Sequence, residues 1–88
     1  MDIYQRFGAN LARQRHAAGL SQEELAFRAD VHRTQVSLIE GGKRLPRLDT
    51  LVKISGALGI PPGELLEGIS WSPIVSTPGA FRVTDPKD

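Results

Sequence analysis

Glycine punctuates this chain at Gly19, at Gly41–Gly42 and at Gly59. Each closes a run of helical periodicity, so the chain is restricted to short helices that must pack on one another. "IYQRFGANLARQRHAAG" spaces Ile3, Phe7 and Leu11 four residues apart, one stripe of an amphipathic helix ended by Gly19. Arg15 falls next on that stripe, where an apolar residue is expected. "SQEELAFRA" opens a second helix, in which Ser21 and Glu24 have the spacing of a capping box and the early carboxylates suit the helix dipole. Leu25, Ala26 and Ala29 form its inner face. "HRTQVSLIE" reads as a third helix with Val36 and Ile39 turned inward. "KRLPR" is a loop. "LDTLVKISGALG" is a fourth helix with Leu48, Leu51, Ile54 and Leu58 on one face, and "PPGELLEG" a short fifth, begun by proline and followed by Gly68.

The turn between the second and third helices is the odd one. "ADVH" must reverse the chain sharply, yet it holds neither Gly nor Pro. From Ile69 onward the helical period is lost. "ISWSPIVSTPGAFRVTDPKD" carries three prolines, two of them breaking the chain ahead of one candidate strand, "AFRVT" at 80–84, with a frayed end expected after Asp85. Trp71, Ile74, Val75, Phe81 and Val83 are too apolar for a disordered end. Two placements stay open: folding back on the same domain, or adding a strand to a second chain.

Composition removes several classes. With 88 residues the chain makes one small domain and a tail. There is no Cys, so disulfides and thiolate metal sites are excluded. His16 and His32 are too few to close a zinc site, and no metal or cofactor is expected. No apolar run is long enough for a bilayer and no signal peptide begins the chain, so a cytoplasmic protein without membrane contact is expected. A search for catalytic groups among the histidines, serines and carboxylates finds none, and no enzyme activity is expected. Net charge is +1, unevenly spread. Residues 1–47 hold eight Lys/Arg against five Asp/Glu, 8 − 5 = +3, and residues 48–88 three against five, 3 − 5 = −2. "GGKRLPR" is the densest basic run. Alone it reads as a solvated loop; on a suitable fold it reads as a phosphate patch.

A capped helix, a tight turn, a polar second helix and a basic loop are what a helix-turn-helix reader of double-stranded DNA needs. "SQEELAFRADVHRTQVSLIEGGKRLPRLDTLVKISGALGIPPGELLEG" closely resembles the phage repressor and Cro type of helix-turn-helix domain, the XRE family. The likeness covers roughly residues 3–68. It rests on "SQEELA", on the spacing of Val31, Val36, Ile39 and Glu40, on "GKR" and on the fourth helix. The wording of "LAFRADVHRTQVSLIE" looks especially like small bacterial regulators, among them restriction–modification controller proteins.

The resemblance implies an all-α, five-helix repressor-like domain over 1–68, with the tail at 69–88. It also implies roles. Arg33, Thr34, Ser37 and Leu38 are the expected base contacts, Arg by a bidentate bond to guanine and Thr by hydroxyl or methyl. Gln22, His32, Gln35, Lys43, Arg44 and Arg47 are the expected phosphate contacts. Arg15 and Glu40 match a pair that joins the first and third helices as a salt bridge. The family usually has Gly at the turn; here Asp30 stands there, one of the residues that best tolerates the left-handed region. Gly41 stands where many relatives carry a basic residue. A single such domain covers little DNA, so a homodimer on a two-fold site is expected. The function implied is a transcriptional regulator, a repressor or autoregulator. The competing reading is an antitoxin-like protein whose main partner is another protein, with a pure interaction adaptor as a third.

Overall fold

The computed structural model describes residues 1–73 and 79–85. Four α-helices come first: α1 (Ile3–Ala17), α2 (Gln22–Ala29), α3 (Arg33–Glu40) and α4 (Leu48–Leu58). A 3₁₀ turn (Pro62–Leu66) follows, then strands β1 (Ile69–Ser72) and β2 (Ala80–Val83). Among the described residues no helix is long and apolar enough to cross a membrane.

The helices start in two ways. Asp2 and Gln5 form a reciprocal capping box at α1, and Ser21 and Glu24 another at α2. The backbone amide and hydroxyl bonds to Ser21 hold the Glu24 carboxyl below the usual carboxylate range. Neither α3 nor α4 has a side-chain cap. All four helices stop in one way. A residue at the cap (α2, α4) or just past it (α1, α3) adopts a left-handed backbone, and its successor donates back to the carbonyl five residues earlier: Leu20 to Arg15, Val31 to Ala26, Lys43 to Leu38 and Ile60 to Ser55. Three of these left-handed residues are glycines. The fourth is Asp30, at φ 54° and ψ 47°. So the turn at "ADVH" is an ordinary helix stop built with aspartate.

Asp30 pays the left-handed penalty with weak compensation, since its carboxylate lies 4.0 Å from an exposed Lys53 amine. Asp30→Gly is therefore expected to leave the fold intact and to change stability by between zero and about +1 kcal/mol. Urea midpoints of the two proteins check this. A clear loss would show that Asp30 holds the start of α3 in some further way.

The helices close over one core. Leu11, Leu25, Val36, Ile39, Ile54 and Leu65 are fully buried and come from every helical element. Each such side chain contributes roughly 1.5–3 kcal/mol by leaving water. The inner faces expected for α2 and α3 are the ones observed. In α4, Leu51, Ile54 and Leu58 pack inward as expected, while Leu48 is 76% exposed, and Thr50 and Ser55 are buried beside Ile54. Leu48 is the first residue of its helix, just outside the packed layer.

Two expectations about the C-terminal third are corrected. The fifth helix is a 3₁₀ turn. It is five residues long, and side chains of α1 take the carbonyls that a longer helix would have used. Asn10, 1% exposed, donates its amide to the carbonyls of Leu65 (3.0 Å) and Glu67 (2.9 Å), and Arg6 Nε donates to Glu67 (2.9 Å). Second, the tail strand is half of an antiparallel hairpin. β2 ends at Val83 and pairs with β1, with Ile69 opposite Val83 and Trp71 opposite Phe81. "ISWS" alternates apolar and polar residues, but over only four positions before a proline. The hairpin folds back against α1. Ile74 and Val75, and the end expected to fray after Asp85, lie outside the described residues.

Candidate nucleic-acid interface

α3 is only eight residues long, so its orientation has to come from its neighbours. Val36 and Ile39 anchor one side in the core. That leaves Arg33, Thr34 and Ser37 on the exposed side, with Gln35 and Leu38 half-buried at its borders. His32 occupies the cap position, exposed, with no side-chain bond to the helix amides. The first amides of α3 therefore keep their partial positive charge facing outward.

Three contacts fix the angle of α3. The Glu40 carboxylate receives Arg15 in a two-pronged bond, Nε to Oε2 at 2.6 Å and Nη2 to Oε1 at 2.9 Å. Both side chains are about nine-tenths buried. The bond to Glu40 holds the Arg15 guanidinium above its ordinary pKa, against the opposing effect of burial. Arg15 Nη1 also donates to the Leu20 carbonyl, at 2.8 Å. Second, Gln22 donates its side-chain amide to Glu40 at 3.1 Å, tying the start of α2 to the end of α3. Its second amide hydrogen remains available. Third, α1 crosses α3 at Gly8. A Cβ there would lie 2.5 Å from the Ile39 carbonyl oxygen and 2.8 Å from that of Glu40.

Beyond α3, the left-handed Gly42 turns the chain past Gln5 of α1. Lys43, Arg44 and Arg47 follow on this loop, all exposed. Arg47 lies 3.5 Å from Asp49, an exposed pair that leaves the guanidinium free to exchange partners. The sequence thus identified the outer face of α3, the basic loop and the two ends of the buried ion pair. It missed Gly8, Arg6 and Asn10. A glycine inside an amphipathic helix signals a close approach by another backbone, so Gly8 was findable. Arg6 and Asn10 carry no such signal, because only the fold shows that the carbonyls of Leu65 and Glu67 end beside them. Among the described residues no group of His, Asp and Glu is placed to hold a metal ion.

Known proteins resemble this chain in sequence and fold. The chain is 52% identical over 50 residues to the control protein C.BamHI of Bacillus amyloliquefaciens, a match spanning 57% of this chain and 62% of that protein. It is 46% identical over 69 residues to the control protein C.MunI of a Mycoplasma species, spanning 77% of this chain and 93% of that one. The crystal structure of the restriction-modification controller protein C.AhdI from Aeromonas hydrophila superposes with a TM-score of 0.69 at 42% identity, covering 70% of this chain and 94% of that chain. The helix-turn-helix family profile matches residues 11–65, from the middle of α1 to the buried Leu65. With α2, the Asp30 turn and α3 inside that match, this chain belongs to the helix-turn-helix family.

Proposed function

We propose that this protein is a transcriptional regulator that binds double-stranded DNA in a sequence-specific way, as a dimer on a two-fold site. The single observation that carries the reading is the outward face of α3. A short polar helix is held at a fixed angle by Arg15, Glu40, Gln22 and Gly8, with three exposed basic residues directly after it. α3 enters the major groove with Arg33 and Thr34 at the bases, and Ser37 and Leu38 one turn further along. Lys43, Arg44 and Arg47 grip phosphate, as do His32, Gln35 and the free hydrogen of Gln22 at the two helix starts. Half-sites then lie about 34 Å apart. The likeness to control proteins supports a controller of genes that include its own, in a restriction–modification setting.

Two substitutions of equal charge test the reading. Arg33→Ala is expected to weaken binding to the preferred site by about 1–3 kcal/mol per contact, and to relax the preference at one base pair of each half-site. Lys43→Ala is expected to weaken all sites alike, and to lower the slope of log affinity against log salt by about one per lost contact in each chain. Titrations against single-base operator variants at two salt concentrations separate these outcomes. Equal losses on every variant would reduce Arg33 to a phosphate clamp.

A further inference from the structure

Arg6 is a buried charge that the reading of DNA does not use. It belongs to α1 and is 4% exposed. Burying a charge is costly unless a countercharge and hydrogen bonds compensate it. Arg6 has little of either. Its Nε donates to the Glu67 carbonyl at 2.9 Å, and its Nη1 is enclosed with no hydrogen-bond partner. Among the described residues Arg6 makes no ion pair, whereas Arg13 and Arg15 of the same helix each have a glutamate.

Arg6 lines a cavity of about 280 Å³ together with Arg13, Glu67, Gly68, Thr84 and Asp85. Three pieces of chain meet there: α1, the turn at Gly68 that leads into β1, and the end of β2. The last two are joined by the Thr84 amide, which donates to the Gly68 carbonyl at 2.8 Å. Glycine at 68 is what keeps the guanidinium uncovered. Its backbone is left-handed, and a Cβ there would stand 2.7 Å from Nη2 and 2.8 Å from Cζ of Arg6. None of the lining residues belongs to α2, to α3 or to the basic loop.

Charge decides what fits. Both carboxylates at the cavity are already taken: Glu67 by Arg13, and Asp85 by the Met1 ammonium at 3.6 Å. The charge left over is single and positive, and it is the buried one, on Arg6. Water satisfies an N–H but cannot cancel a charge; an anion does both. A dianion would bring a second negative charge beside Glu67 and Asp85, so a monoanion fits better. A carboxylate is the monoanion whose two oxygens match the fork of a guanidinium. The Thr84 hydroxyl is a further donor at the rim. The volume exceeds that of a bare carboxylate group, yet lies just under the roughly 300–1,000 Å³ of sites for larger ligands.

We propose that this cavity binds a small monocarboxylic acid, with the carboxylate on Arg6 and Thr84, and that occupancy fastens the end of the hairpin to α1. The site uses no residue assigned to DNA, so it stands or falls apart from that reading. The probes are sodium acetate and sodium propionate, set against sodium chloride and sodium sulfate at one pH and one ionic strength. The thermal midpoint of the full chain is expected to rise in acetate and propionate over chloride. A ligand that binds only the folded chain raises the folded-to-unfolded ratio about elevenfold at ten times its dissociation constant. In proton–nitrogen correlation spectra the Arg6 Nε–H and the amides of Gly68 and Thr84 are expected to shift together and to saturate. Arg6→Met is expected to abolish both responses. Thr84→Val keeps the charge and is expected to weaken binding by roughly twofold to tenfold, the loss of one hydrogen bond. The proposal is overturned if acetate gives the chloride midpoint, or if sulfate matches acetate. It is overturned equally if the acetate response persists in Arg6→Met, if Thr84→Val binds as tightly as the unaltered protein, or if the shifts never saturate. If Arg6→Met does not fold, the spectra of the unaltered protein still decide.

Discussion

Glu40→Ala is expected to lower the unfolding free energy by about 3–5 kcal/mol, a large share of the stability of so small a domain. Glu40 accepts from Arg15 twice and from Gln22 once, and the pair is about nine-tenths buried. Removing the carboxylate strands the Arg15 charge with the Leu20 carbonyl and a 3.3 Å contact to His16 Nε2. The loss measures the stranded charge more than the bond. Arg15→Met combined with Glu40→Leu removes both charges, and is therefore expected to recover at least half of it. Urea denaturation of the three proteins gives the comparison. If Glu40→Ala falls within about 1 kcal/mol of the unaltered protein, the pair is a surface-like contact and α3 is held by packing alone.

Gly8→Ala should have the second large effect, although it adds a single methyl group. The new Cβ meets two main-chain oxygens of α3, at 2.5 and 2.8 Å. A backbone oxygen cannot rotate away, so the whole helix has to move. Overpacking of this kind typically costs about 1–3 kcal/mol, and more where the neighbour is rigid. Gly56→Ala is the control. It lies on the exposed side of α4 with open space around its Cβ direction. There the same change is expected to stabilise by about 0.4–1 kcal/mol, through the unfolded chain. Opposite signs at the two positions are the expected outcome. Equal shifts would show that α1 and α3 can separate without strain, and Gly8 would then be no more than a weak helix former.

How far the sequence could be read depended on the range of each interaction. Helix starts and stops are local, and Ser21, Glu24, Gly19 and Gly59 announced them. Asp30 was legible too, because few residues besides glycine accept its backbone angles. The inner faces of α2 and α3 followed from spacing. Leu48 misled, because periodicity gives a direction around a helix but not the point at which packing begins. The 3₁₀ turn escaped because its conformation is set by Asn10 and Arg6, more than fifty residues away. β1 escaped because four residues are too few for alternation to stand out, and because a strand exists only with its partner. The exposed side chains of α3 and the loop were the easiest to single out, since the resemblance placed them. The contacts that aim them, at Gly8 and Gln22, needed the structure.

The crossing of α1 and α3 has a consequence for how this surface is lost. A recognition helix fastened only to its neighbour in the turn could fray on its own, leaving a folded domain that no longer reads. Here α3 is locked to a helix that begins thirty residues earlier, by a buried ion pair at one point and a backbone approach at another. Its opening therefore requires α1 to leave the core, which is global unfolding. The reading surface and the folded state then appear and vanish together. On the proposed function, warming past the midpoint would end DNA binding as a switch does, because the outward face of α3 has no folded state of its own.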